Sequence, residues 1–462
     1  MKAMNVPHLL HHHHSAVYYP QESYLAPEKK HTRMKIVVIG GASTYTPELI
    51  DGLIDHAPDL GLTRVTLVDP NLERLTVVTA FAQRMVAHRG GRFVVDSTSD
   101  RKVAIQSAPD YVLTQLRVGG QAARHSDEML GRDHGLIGQE TTGIGGFAKA
   151  LRTVPVILDI AADMRTYAPH ATLINFTNPA GIVTEALARH AGVRAIGLCN
   201  NAMTAQRGIA KRLNVRPDEV HIEQVGLNHL NWIRHIRVGQ SDVTTYILEQ
   251  AMADLTNTQD DDDIHIPATL IGMLQALPSS YLDYFYMTNE IIAKQQSGIP
   301  TRAEVVMDVE RRLLERYADV HLCEKPPELM ERGGAYYSTA AAALICSLHL
   351  GDNATHIVNV QNNGSLPDLP DDVVVEVPCR VNQHGATALP HAPLAPVMHG
   401  LAAQIKAYEL LTIEAALSGS HERAMSALLC NPLGPGAGAV ERVWHDLLKR
   451  NAHWLPQFGP HA

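Results

Sequence analysis

A thiol and an imidazole, Cys199 and His229, lie thirty residues apart, the first at the mouth of a strand-like run and the second within an alternating, strand-like one. Cys199 closes VRAIGLCNN, and His229 stands in VGLNHLNWI. A thiolate and a neutral imidazole suit a borderline transition metal. Two protein ligands leave coordination positions for water or substrate, which is what a catalytic metal requires. A core cysteine and a satisfied polar histidine are the other readings of the same residues.

A second pattern lies upstream. VVIGGASTYTPELI sets Gly40 and Gly41 between a strand-like run and a helix-like one. Gly40 allows a tight turn, and the following N–H groups (Gly41, Ala42, Ser43) with the helix N-terminus favour a pyrophosphate. Asp69 ends the next strand-like run, RVTLVDP, where an acid accepts from a ribose hydroxyl and prefers NAD to NADP. The loop departs from GxGxxG: Ala42 stands for the second glycine and Tyr45 for the third. A structural turn in an α/β domain that binds no nucleotide therefore competes with the cofactor reading.

The elements that must position these residues alternate from Met34 onward. MKIVVIGG, RVTLVDP, RFVVDST, PDYVLTQLRVGG, ATLINFTNPAG and VRAIGLCNN read as strands, with helical periodicity in TPELIDGLIDHA and LERLTVVTAFAQRMVAHRG. Such alternation predicts an α/β fold, a Rossmann-like doubly wound parallel sheet similar to that of lactate dehydrogenase. It sets Gly40, Asp69, Arg117, Asn178 and Cys199 along the carboxyl edge of the sheet, where ligands bind. After about residue 202 the rhythm changes: HIEQVGLNHLNWIRHIRV alternates like antiparallel strands, and helical segments follow at 266–276, 302–317, 336–349 and 396–430. The tract QDDDDIH reads as a solvated loop. The expected division is a disordered extension at 1–33, an NAD-binding domain at 34–202, and an α+β domain at 203–462 carrying substrate, metal and oligomer contacts. His11 to His14 in the extension also allow a metal-binding tract.

Composition excludes several classes. The net charge of −9 and the lack of a basic run argue against a nucleic-acid partner. No apolar run reaches the ~18 residues of a membrane span. Five widely spaced cysteines (Cys199, Cys323, Cys346, Cys379, Cys430) fit a reducing cytoplasm better than a disulfide framework.

Eight segments, taken in order, resemble glycoside hydrolase family 4, and most nearly its 6-phospho-β-glucosidases. They are GGASTYTPELIDGL, GLIGQETTGIGGFAKALRTVP, NFTNPAGIVTEAL, GLCNN, GLNHLNWI, PSSYLDYFY, RGGAYYSTAAAALI and NNGSLPDLPDD. The resemblance implies NAD and a divalent metal, usually Mn²⁺, and cleavage by oxidation and elimination instead of a carboxylate pair. It implies Cys199 and His229 as metal ligands and Tyr281, in SSYLDYF, as catalytic base. Glu140, in GQETTG, matches a position that raises the basicity of that tyrosine. Arg124 and Asn178 match substrate-binding positions, and Arg302, in PTRAEVVM, is similar to the phosphate-binding arginine. Asn200 follows the metal cysteine as in the β-phospho subgroup, where an aspartate would mark the α-phosphoglucosidases. The partner implied is a phosphorylated disaccharide or β-glucoside, and a homodimer or homotetramer is expected.

Two departures stand out. The family's Cys-Asn-x-Pro is Cys199-Asn200-Asn201-Ala202 here, and a usual basic residue in the tyrosine motif is Asp283. Without the resemblance, Tyr281 reads as a core aromatic, Arg124 and Arg302 as surface charges, and Glu140 as a cap in a glycine-rich loop. A hydroxy-acid dehydrogenase and a non-catalytic NAD-binding regulator are the competing functions.

Overall fold

A computed structural model describes residues 33–257, 263–332 and 337–459. The four consecutive histidines and most of the acidic tract lie outside the described residues. Strand β1 (Met34–Ile39) is apolar on both faces, as a central parallel strand must be. Ile36 and Val38 enter one core cluster, Val37 and Ile39 another on the opposite face. Around it lie β2 (Leu62–Val68), β3 (Val94–Thr98), β4 (Tyr111–Thr114), β5 (Thr172–Asn175) and β6 (Arg194–Gly197), parallel and in the order β3-β2-β1-β4-β5-β6. This is the doubly wound order expected from the alternating pattern.

The crossover helices obey local rules. Helix α1 (Thr46–Leu60) carries Pro47 in its first turn and buries Leu49, Ile50, Leu53, Ile54, Ala57 and Leu60, one stripe at helical spacing. Gly61, with φ 58°, ends it in the left-handed conformation. In α2 (Leu72–His88), the Asn71 side chain caps the first turn by accepting from the Arg74 N–H. Helices α3 (Arg101–Gln106), α4 (Gly120–Asp133), α5 (Gly143–Tyr167), α6 (Ala180–His190) and α7 (Asn201–Leu213) complete the first half. The expected boundary at residue 202 falls in the first turn of α7.

The same sheet runs on beyond that point. The alternating run 221–238 folds as the hairpin β7 (Val220–Leu227) and β8 (Leu230–Val238), flanked by the short strands β9 (Ser241–Asp242) and β10 (Leu277–Pro278). Two late strands, β11 (Thr355–Gln361) and β12 (Val374–Asn382), insert between β6 and β7, and β13 (Gly385–Ala388) pairs with β12. The junctions are narrow. β11 meets β6 at Asn359 opposite Gly197, and β12 meets β7 at Glu376 opposite Gly226. The result is one thirteen-stranded mixed sheet among the described residues.

Helices occur at Ala268–Leu274, Arg302–Ala318 and Tyr337–Leu350, as the periodicity predicts. The long run expected from 396 breaks into Pro396–Ser418 and His421–Cys430. Gly419 makes the break: its φ is 67°, and a Cβ there would lie 2.0 Å from the Gln457 carbonyl oxygen. The Arg302–Ala318 helix starts in a capping box of Thr301 and Glu304. Its Tyr317 stacks on Phe81 of α2 at 4.5 Å, which ties the late helix to the first half of the sheet. No helix among the described residues is long and apolar enough to cross a membrane.

Candidate active site

A cavity of 1340 Å³ opens beyond the carboxyl ends of the parallel strands. Seven Lys and Arg side chains line it against three Asp and Glu, an excess of positive charge in a chain of net charge −9. Anionic occupants are the electrostatic complement of such a wall.

One end is built by the glycine turn. Gly40 has φ 90°, and a Cβ on it would lie 2.7 Å from the Gln115 backbone. A Cβ on Gly41 would lie 2.7 Å from the Leu67 side chain. Only glycine fits either position, so the backbone passes close under α1 and leaves room above it. Asp69 accepts from the N–H groups of Asn71 (2.9 Å) and Ala42 (3.3 Å) and faces the same cavity. The Ser43 hydroxyl accepts from the Tyr45 N–H. A turn with no side chains in the way, a helix N-terminus and an acid at the next strand end fit a dinucleotide.

The other end holds the chemistry. Cys199 Sγ and His229 Nε2 are 3.7 Å apart, and both residues are buried. Ligand bonds of about 2.3 Å to sulfur and about 2.1 Å to nitrogen close a triangle of that size. His229 occupies the β7–β8 turn with φ 62°, an uncommon conformation for a residue with a Cβ. Burial pulls its imidazole down to about 3, so it is neutral, as a metal ligand must be. Burial, then the Glu376 charge, push the Cys199 thiol up to about 12; a bound cation is what would hold the thiolate. Among the described residues no third Cys, His, Asp or Glu joins the pair, so any further ligands must come from solvent or substrate.

Tyr281 lies flat on the His229 ring, with centroids 3.7 Å apart and an interplanar angle of 3°. A short 3₁₀ turn, Ser280–Leu282, presents it. Burial raises its phenol pKa, and the negative charges of Cys199 and Glu140 raise it further. A phenolate with a raised pKa is a stronger base once a neighbouring cation has made it accessible.

Glu140 is gripped by three cations. Arg117 pairs with both of its oxygens, Lys149 lies at 2.8 Å and Arg124 at 3.3 Å. Burial would raise this carboxyl, but the three cations hold it well below the usual carboxylate range. Lys149, buried and beside Arg117, is pulled down to about 7. Arg124 also bonds Glu128 at 2.7 Å.

The remaining expected residues sit around this centre. Asn178 lines the cavity and accepts from the Ala180 N–H. Asn200 lines it from the cap position just before α7. Arg302 is exposed at the rim; one guanidinium nitrogen donates to the carbonyls of Glu331 and Arg332. Asp283 does not line the cavity; it starts a short helix, and burial pushes its carboxyl up to about 6. Cys199 lines a smaller cavity of 560 Å³ on its far side, where Ala202 stands in place of the family's proline.

Arg117, which the strand pattern already set on the carboxyl edge, lies three residues beyond β4, and its pairing with Glu140 was not expected. Other lining residues were not singled out from the sequence. Lys149 is one of two charged residues, with Arg152, in a helical run of small and apolar residues, GFAKALRTVP. Glu310 reads as the polar face of an amphipathic helix, yet it is buried and accepts from Arg74, Gln121 and Arg332 at 3.1, 3.0 and 2.9 Å. Arg332 in turn covers the Tyr45 ring at 4.5 Å.

Known proteins resemble this chain over most of its length. A family model described as Family 4 glycosyl hydrolase matches residues 35–215, and that of its C-terminal domain matches 224–434. The chain is 40% identical to a probable 6-phospho-beta-glucosidase of Bacillus subtilis over 92% of this chain and 98% of the relative. It is 37% identical to a 6-phospho-beta-glucosidase of Escherichia coli over 92% and 97%. The 6-phospho-beta glucosidase of Thermotoga maritima, solved with manganese, NAD+ and glucose-6-phosphate, superposes with a TM-score of 0.85 at 37% identity, covering 91% of this chain and 99% of that one. A malate dehydrogenase of Cryptosporidium parvum, at 15% identity and a TM-score of 0.54, shares the fold alone. On motif order, fold and these matches, the chain belongs to family 4 of the glycosyl hydrolases.

Proposed function

We propose that the chain is an NAD- and divalent-metal-dependent 6-phospho-β-glucosidase, with Mn²⁺ the metal and 6-phospho-β-glucosides such as cellobiose 6-phosphate the substrates. Family membership makes it a glycosidase. The observation that carries the finer reading is the stack of Tyr281 on His229 inside the cavity that also holds Gly40 and Asp69, with Cys199 Sγ behind it, 3.7 Å from His229 Nε2.

The chemistry follows from these residues. A sugar carbon 2 proton is not acidic until carbon 3 is a ketone. Bound NAD⁺ supplies the hydride acceptor for carbon 3, and a divalent ion held by Cys199 and His229 supplies a Lewis acid. Tyr281 removes the carbon 2 proton, and the aglycone leaves carbon 1. Water then adds and the hydride returns, so the cofactor is not consumed. The charge of Glu140 strengthens Tyr281 as a base. Asn200 is neutral and cannot act as a strong acid, so the leaving group takes its proton from water. Arg124, Asn178 and Arg302 hold the sugar and its phosphate; the cationic wall of the cavity supports a phosphorylated substrate. Cysteine usage supports a reducing, cytoplasmic setting, and a homo-oligomer is part of the same reading.

The test is hydrolysis of 6-phosphorylated and free nitrophenyl β-glucosides with NAD⁺ and Mn²⁺. Turnover of the phosphorylated compound only, lost in EDTA and in Cys199→Ser, is expected. Full activity without NAD⁺ and metal, or net NADH production without glycoside cleavage, would overturn it.

A further inference from the structure

Cys199 and His229 belong to different parts of the sheet. Cys199 follows β6, and His229 sits on the β7–β8 turn, with β11 and β12 lying between. Something must fix the distance between two such ligands.

Glu376 of β12 lies at that junction, 1% exposed. Its carboxylate accepts four side-chain amide N–H groups. Gln224 (3.1 Å) and Asn231 (2.8 Å) reach Oε1; Asn228 (2.7 Å) and Asn359 (2.8 Å) reach Oε2. Every contact is a donor, so the pocket is built for the ionised acid, which offers acceptors only. The orientation of two amides is fixed by their second acceptors: Asn231 also donates to the Leu227 carbonyl and Asn359 to the Gly197 carbonyl. The Asn359 Oδ1 atom is buried without a partner, so that amide serves the carboxylate at its own expense.

The four donors connect both ligands. Asn359 touches β6 two residues before Cys199. Asn228 precedes His229, and its side chain also hydrogen-bonds the Cys199 sulfur. Glycines make the room: a Cβ on Gly197 would lie 2.8 Å from the Asn359 Cβ, and one on Gly226 would lie 2.4 Å from the Leu230 carbonyl oxygen. No cation of the described chain pairs with Glu376, and burial raises its carboxyl above the ordinary value. A buried charge without a counter-charge is costly.

We propose that Glu376 is a positioning residue for the metal: its amide cluster sets the Cys199–His229 separation, and its charge, with the thiolate, complements a divalent cation. This rests on the assignment of Cys199 and His229 as the metal ligands. Partners behind the ligands commonly change metal affinity 10- to 100-fold.

The experiment measures Mn²⁺ affinity by titration calorimetry on the purified full chain, with NAD⁺ affinity, apo melting temperature and kcat at saturating Mn²⁺ alongside. Glu376→Gln removes the charge and one acceptor. Gln224→Met removes one donor without touching either ligand, the cavity or the substrate, and stands in if Glu376→Gln does not fold. The expected result is Mn²⁺ affinity 10- to 100-fold weaker in Glu376→Gln and weaker by a smaller factor in Gln224→Met. NAD⁺ affinity is unchanged, and excess Mn²⁺ restores kcat. A merely structural residue would shift melting and NAD⁺ affinity together and would not be rescued by metal. Wild-type Mn²⁺ affinity in a folded Glu376→Gln, or in Gln224→Met when the other does not fold, overturns the proposal. If wild type itself binds no Mn²⁺, or Cys199→Ser binds it equally, the ligand assignment fails instead.

Discussion

Glu140→Gln removes one negative charge from among Arg117, Arg124 and Lys149, all within the same buried cluster. Glu140 is 12% exposed and Lys149 3%, so solvent does little to screen the loss. Deleting one partner of a buried pair costs about 3–5 kcal/mol, because the other charge is left uncompensated. Lys149 can relieve part of this by losing its proton, which puts the loss near the lower figure, about 3 kcal/mol, at pH 8. The pH dependence has a definite sign. In the wild type Lys149 is held at about 7, below its ordinary value of 10.5, so folding releases its proton between those pH values. Stability therefore rises with pH across that window. Glu140 raises the Lys149 pKa, so without it the folded value drops below 7. At pH 6 the wild type has recovered the proton and the variant has not. The destabilisation thus grows by up to about 1.4 kcal/mol per pH unit as pH falls below 7. Urea unfolding of the metal-free proteins, followed by circular dichroism at pH 6, 7 and 8, measures it. A loss under about 1 kcal/mol, or an equal loss at pH 6 and pH 8, would refute the reasoning.

Three further outcomes are expected. Gly40→Ala forces a side chain into a φ of 90° and against the Gln115 backbone; a loss of about 1–3 kcal/mol and of NAD⁺ affinity should appear in melting and fluorescence titrations. Tyr281→Phe keeps the stack on His229 but not the hydroxyl, so the rate should fall about 10²- to 10⁴-fold, with carbon 2 exchange in D₂O lost by NMR and NAD⁺ binding kept. Arg302→Ala should raise KM for phosphorylated glucosides and leave that for free ones unchanged; equal KM shifts for both would place the phosphate elsewhere in the cationic wall.

What the sequence made legible was local. Gly40, Asp69 and Cys199 were readable because each directly follows a strand, and a parallel sheet brings all strand ends to one edge. His229 stood out by its spacing from Cys199 and by the motif around it, while its place in a hairpin turn was hidden in an alternating, strand-like run. The Arg302–Ala318 helix showed in its periodicity, but Glu310 within it looked like solvent-facing charge. Its partner Arg74 is 236 positions away, and nothing in the local pattern brings the two together. Lys149 was obscured in the same way by helix packing across the cavity. The insertion of β11 and β12 between β6 and β7 was hidden entirely, since strand order depends on pairings that no period in the sequence records. The four amides around Glu376 therefore appeared as unrelated Asn and Gln residues.

That insertion also has a consequence for synthesis from the N-terminus. When β6 and the β7–β8 hairpin have left the ribosome, the strands that must lie between them are not yet translated. At about 5–20 residues per second, the wait until β12 is complete lasts roughly seven to thirty seconds. During that time β6 presents an open parallel edge and the hairpin has no sheet to join. Such edges are what chaperones cover and what aggregation uses. Both proposed metal ligands, Cys199 and His229, are already made by then, but nothing yet holds them at a fixed separation. Metal capture is thereby deferred to the end of translation, and a chain truncated before residue 355 should neither complete the sheet nor retain the ion.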